Sequence, residues 1–146
     1  MASQEFKATV TLKEGLYVEA DARGFKVSMD EPEPLGGSNK AMNPVEMLLS
    51  ALGGCISITI AAFSKAAHVE VKDCKVHVTG DLDPDGFLGL SKDVRKGFTQ
   101  IRYQVELVSD SSEDKIKKLM QMVEEKCPVS DTLKGVEVVG DIKIVK

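Results

Sequence analysis

A chain of 146 residues, 29% of them charged and 42% hydrophobic, has the make-up of one soluble globular domain over residues 1–146. It carries 19 Lys and Arg against 23 Asp and Glu, a net charge of −4 with no basic arm, which argues against a nucleic-acid partner. Three cysteines behind an N-terminus with no apolar signal core point to a reducing cytoplasm rather than a disulfide framework.

The first forty residues alternate as strands do. Phe6, Ala8, Val10 and Leu12 interleave with Lys7, Thr9 and Thr11, and Lys13-Glu14-Gly15 supplies a turn. Leu16, Val18 and Ala20 follow in the same phase, and a second turn at Ala22-Arg23-Gly24 leads to Phe25, Val27 and Met29. This is an antiparallel meander with one wet face. Pro32, Pro34, Gly36 and Gly37 then mark a loop.

Asn43 to His68 reads as a long helix. Asn43 can cap it, Pro44 suits its first position and Glu46 stands where a capping-box carboxylate belongs. No charge occurs from Met47 to Ser64, and apolar residues point all around the wheel, so the helix must be covered all round. Gly53 and Gly54 cost about 1 kcal/mol each relative to Ala, which predicts close approach of another backbone. The run falls short of the roughly 20 apolar residues of a membrane span and holds Ser50, Ser57 and Thr59, which favours a buried core helix over a membrane segment.

Beyond the helix, Val69 to Thr79 is a strand whose apolar phase changes between Val71 and Val76, the mark of a bulge or two-sided burial. Asp81 to Gly97 is a long loop. Ile101, Tyr103, Val105 and Leu107 alternate with Arg102, Gln104 and Glu106 in the next strand. Ser111 caps a second helix, whose apolar stripe is Ile116, Leu119, Met120 and Val123. Cys127-Pro128 breaks it, a short helix runs through Leu133 to Gly135, and Val136, Val138, Ile142 and Ile144 make a last strand. The order predicts an α+β fold with a mainly antiparallel sheet wrapped around the long helix. One sheet covers only one flank of that helix, so a homodimer with the two central helices close together is expected.

Three thiols carry the available chemistry. Cys55 lies on the apolar helix, where a cysteine packs as a small hydrophobe and burial opposes ionisation. Cys127 precedes Pro128 at a helix start, where backbone N–H groups stabilise a thiolate, and on these grounds it is the more acidic thiol. Cys74 shares a strand face with Val76 and Val78 and reads as core. No C-x-x-C pair joins His68 and His77 into a zinc site, so no metal is expected.

The run Asn43-Pro44-Val45-Glu46-Met47-Leu48-Leu49-Ser50-Ala51-Leu52-Gly53-Gly54-Cys55, followed by Cys127-Pro128-Val129-Ser130-Asp131-Thr132-Leu133, resembles the OsmC/Ohr family of osmotically induced and organic hydroperoxide resistance proteins. The Pro34-Leu35-Gly36-Gly37 loop and the element order fit as well. The resemblance implies an intertwined α+β homodimer and thiol peroxidase chemistry on organic hydroperoxides. It makes Cys55 the attacking thiolate and Cys127 the thiol that resolves its sulfenic acid. It implies no bound cofactor; the reductant is an external dithiol, often a protein-bound lipoyl group. The peroxidase members commonly have a glutamate where this chain has Val45, and an arginine in the first hairpin where it offers Lys13 and Glu14. Arg95, in the long loop, and Lys13 are then the candidates to supply the cation beside Cys55. The alternative reading is a non-catalytic relative that binds a small molecule or senses redox state.

Overall fold

Alternation and capping produce most of the elements where the sequence places them. In the computed structural model, which describes residues 2–146, these are β1 (Thr9–Leu12), β2 (Val18–Ala22), β3 (Phe25–Met29), α1 (Pro44–Ser64), β4 (Asp73–Asp81), α2 (Pro84–Leu88), β5 (Gln100–Val108), α3 (Glu113–Lys126), α4 (Pro128–Thr132) and β6 (Glu137–Val145). The chain divides into two compact units, residues 1–48 and 49–146.

The first unit holds the antiparallel sheet β1-β2-β3. Its tighter turn joins the paired residues Ala22 and Phe25 through Arg23 and Gly24, both at positive φ (57° and 89°). That conformation matches the right-handed twist of the flanking strands. Asp21 Oδ1 accepts the Gly24 N–H at 3.0 Å and holds the turn.

The loop after β3 is organised by Asp30, which the sequence did not single out. Its buried carboxylate accepts from Ser38 Oγ at 2.5 Å, Glu31 N at 2.8 Å, Lys40 N at 3.2 Å and Ser38 N at 3.4 Å. The Ser38 hydroxyl above all, with these backbone donors, holds the Asp30 carboxyl down at about 2 against its burial. Gly37 is obligatory here, since a Cβ would lie 1.9 Å from the Glu31 carbonyl oxygen.

The second unit holds the sheet β4-β5-β6, with β5 in the middle. β4 pairs with it antiparallel and β6 parallel. The expected single, mainly antiparallel sheet is therefore two three-stranded sheets, one of them mixed. The physical reason is the β5–β6 connection: α3 and α4 form a crossover long enough to return the chain in the same direction.

The core of this unit joins Leu52, Ile56 and Ile60 of α1, Ile101, Val105 and Leu107 of β5, and Ile116, Leu119 and Val123 of α3. Three further expectations change. β4 keeps one phase throughout, with Cys74, Val76 and Val78 half-buried and no bulge, because the strand starts only at Asp73. α2 replaces part of the loop expected over 81–97, capped by Asp83, whose side chain accepts from Asp85 N. The cap of α3 is Ser112 rather than Ser111.

Candidate active site

Asn43 and Glu46 form the predicted capping box. Glu46 N donates to Asn43 Oδ1 at 2.9 Å, and Asn43 N donates to Glu46 Oε1 at 3.0 Å. The carboxylate nearest Val45 in sequence is thus committed to starting α1. At 21 residues, α1 is long and apolar enough to span a membrane by length and composition, contrary to the sequence estimate. Its Leu52, Gly53, Ile56, Thr59 and Ile60 are buried, while Val45, Leu48 and Ile58 are exposed, so the all-round cover expected of it is not found among the described residues.

The glycines explain that packing in part. A Cβ on Gly53 would meet Val78 Cγ2 of β4 at 3.1 Å, so Gly53 admits a side chain rather than a backbone. A Cβ on Gly54 would meet nothing within 4 Å, so the close approach expected there is not found among the described residues. Cys55 follows, half-buried, and its carbonyl accepts the Thr59 hydroxyl at 2.7 Å.

Cys127 is built by the junction of two helices. Its N–H donates to Val123 O at 3.1 Å and closes α3, while its carbonyl accepts Asp131 N at 3.1 Å and opens α4. Its sulfur accepts Ser130 N at 3.4 Å as the cap of α4. Only 2% of the residue is exposed. Pro128 fits because the first helical position needs no N–H.

These two elements bring the sulfurs of Cys55 and Cys127 to 2.9 Å, with the Cys127 S–H donating to Cys55. Both cysteines are free thiols. The helix start does not make Cys127 an acidic thiol. The helix-start N–H groups of Ser130 and Val129 do act on it, but burial and its bond to Cys55 outweigh them and push the thiol up. Cys74, the third thiol, is pushed up by burial, then by the charge of Asp73, and packs beneath the core.

The arginines have partners of their own. Arg95 Nη1 donates to the Gly135 carbonyl at 3.4 Å, Arg102 pairs with Asp81 on the wet face of the sheet, and Arg23 lies over the Phe25 ring. Lys13 sits in the β1–β2 turn of the first unit, where its N–H bonds the Tyr17 carbonyl. His68 lies beyond the end of α1 at φ 57°, and His77 pairs with Glu106 at 3.2 Å. Among the described residues, no cluster of three His, Cys, Asp or Glu side chains could hold a metal ion.

One residue near Cys127 was visible in the sequence only as core. Tyr103 lies on the inner phase of β5, and its hydroxyl is pushed up to about 12, first by burial and then by the charges of Glu124 and Cys127. The register that places it there, Tyr103 opposite Gly140, depends on the parallel pairing of β6 and cannot be read locally.

Comparison with known proteins agrees with the element order. A hydroperoxide reductase of Mycoplasma pneumoniae is 27% identical over 137 residues, covering 91% of this chain and 89% of that protein. The crystal structure of an OsmC-like protein from Mycoplasma pneumoniae superposes with a TM-score of 0.87 at 23% identity, covering 99% of this chain and 100% of that one. An organic hydroperoxide resistance protein OsmC from Legionella pneumophila gives 0.68 at 17% identity over the full length of both chains. The family model for OsmC-like protein matches residues 37–139, a span that takes in both cysteines, and the chain belongs to the OsmC-like family.

Proposed function

We propose that this protein is a thiol-dependent peroxidase that reduces organic hydroperoxides, with Cys55 and Cys127 as its redox pair. The observation that carries this reading is the 2.9 Å separation of the two sulfurs, with the proton on Cys127 and Cys55 as acceptor. The hydroperoxide reductase name of the Mycoplasma pneumoniae relative supports it.

In the proposed cycle the Cys55 thiolate attacks the peroxide oxygen distal to carbon. The O–O bond breaks, the alkoxide takes a proton and leaves as the alcohol, and Cys55 is oxidised to a sulfenic acid. The Cys127 sulfur then attacks that sulfenic sulfur; its thiol proton and the departing hydroxide form water, and a disulfide remains. An external dithiol reduces the disulfide by exchange and is itself oxidised to a disulfide. The apolar run that flanks Cys55 in the sequence suits alkyl peroxides better than hydrogen peroxide.

The active form in this proposal is a cytoplasmic homodimer. Its support is the apolar surface the single chain leaves uncovered: Phe6, Leu12 and Phe25 on the first unit, and Leu48 and Ile58 on α1. A face of that kind on the helix that carries Cys55 is what a second copy would cover.

The test is one equivalent of cumene hydroperoxide followed by thiol mapping by mass spectrometry. Rapid formation of a Cys55–Cys127 disulfide with one equivalent of cumyl alcohol is expected. Slow, unselective oxidation of all three cysteines would favour a binding or sensing role instead.

The raised Cys127 thiol adds a pH dependence. Cys127 is held as the thiol at neutral pH, and a raised thiol needs a higher pH than an ordinary one to ionise. Disulfide closure, followed by stopped flow after a peroxide pulse, should therefore keep accelerating as pH rises past 9, the ordinary thiol value. A plateau below that pH would contradict the assignment.

A further inference from the structure

At one end of the second unit's sheet, Asp81 closing β4, Gln100 opening β5 and Glu137 opening β6 stand side by side. The thiols belong to that end. Gly53, two residues before Cys55, faces Val78 near the close of β4, and Cys127 leads through α4 into β6. The excursion that joins β4 to β5, residues 82–99, springs from the same place.

The excursion is a built element and not a slack loop. Thr99 N donates to Asp81 O at 2.9 Å across its neck. Leu82 and Phe98 root its two stems in the core that includes Cys127 and borders Cys55. Higher up, the buried Gly86 packs α2 on the returning segment, since a Cβ there would lie 3.0 Å from the Arg95 carbonyl oxygen. Gly89 N and Leu90 N both donate to Asp85 O and close α2. Arg95 Nη1 ties the element to Gly135 O, in the turn behind α4, at 3.4 Å.

This framework holds three large apolar side chains out in water: Phe87 is 81% exposed, Leu88 52% and Leu90 72%. An ordered excursion that displays such a cluster marks a contact. Three side chains cannot supply the roughly 800 Å² per partner that a stable protein interface takes. They do not suit an anionic membrane either, because the excursion sets Asp83, Asp85 and Asp93 against Lys92, Arg95 and Lys96 in a chain of net charge −4. A single alkyl chain fits the size, and the thiol pair at the same end of the sheet gives that chain a direction. We propose that Phe87, Leu88 and Leu90 bind the alkyl tail of the hydroperoxide whose head reacts at Cys55, and so select long unbranched chains. That choice of substrate rests on the peroxidase reading; the affinity of the tip for an alkyl chain does not.

The chain contains no tryptophan, so Phe87→Trp places a single fluorescent reporter on the tip. In a Cys55→Ser background, where no turnover intrudes, n-alkanols from 1-hexanol to 1-decanol should shift its emission to the blue saturably. Affinity should rise at least about two-fold per added CH₂, and Leu90→Ser should weaken 1-decanol binding by about five-fold or more. With both cysteines intact, Leu90→Ser should lower kcat/KM for n-decyl hydroperoxide relative to tert-butyl hydroperoxide by a similar factor. Emission that ignores the alkanols, responds alike to every chain length, or responds equally in Leu90→Ser would overturn the proposal. So would emission already blue in the free protein that reddens on dilution, the sign of a second copy on the tip, or a blue shift produced only by phosphatidylglycerol vesicles. Chain-length-dependent alkanol binding in a parent that turns over no peroxide would count against the peroxidase reading and support the alkyl site.

Discussion

Cys55→Ser and Cys127→Ser should each lower steady-state reduction of cumene hydroperoxide by roughly 10³-fold or more, but they should stop at different points. Only Cys55→Ser should abolish release of the first equivalent of alcohol. Cys127→Ser should release that equivalent at a near-normal rate and then stall as a sulfenic acid, trapped as a dimedone adduct on Cys55. The asymmetry follows from the geometry. Cys127 is the donor of the pair and almost wholly buried, whereas Cys55 accepts the hydrogen bond and remains half-exposed. On the proposed reading a peroxide reaches Cys55 first, and the neighbouring thiol closes on it. Dimedone labelling of Cys127 in the Cys55→Ser protein, with alcohol release intact, would reverse the two roles.

What the sequence disclosed was what short-range chemistry determines. The Asn43–Glu46 box, the alternation of β5, and the Cys127-Pro128 junction between two helices are all settled within a few residues, and each is found as read. The parallel pairing of β6 was hidden because strand direction is set by the length of a crossover and not by residues within the strand. The acidity of Cys127 was misjudged for a related reason. Its helix-start donors are local and legible, but its burial and its bond to a sulfur 72 residues away are tertiary facts. Asp30 escaped notice because one aspartate in a proline-glycine loop carries no pattern, although four hydrogen bonds converge on it. The thiol pair was legible only through family resemblance, since no spacing rule joins two cysteines so far apart.

The second large effect should distinguish a helix buried by its own chain from one completed by a second copy. Leu52 and Ile58 lie on different faces of α1; Leu52 is wholly buried and Ile58 is 72% exposed in the single chain. Leu52→Ala opens a cavity beneath the turn that carries Cys55 and should cost roughly 2–5 kcal/mol. For a chain of this size that lowers the melting temperature by roughly 5–15 °C, by the same amount at every protein concentration. Ile58→Glu touches almost nothing within the chain, so a monomer would absorb it within about 0.5 kcal/mol. If a second copy covers this face, the new carboxylate is driven into an apolar interface. It should then weaken association by about a hundred-fold or more and make the melting temperature concentration-dependent. Analytical ultracentrifugation of both variants beside the parent checks this directly. Parent and Ile58→Glu sedimenting as the same species at micromolar concentration would remove the homodimer from the proposal. Loss of the dimer together with peroxidase turnover in Ile58→Glu, with Leu52→Ala still dimeric, would tie the reactivity of Cys55 to the partner helix.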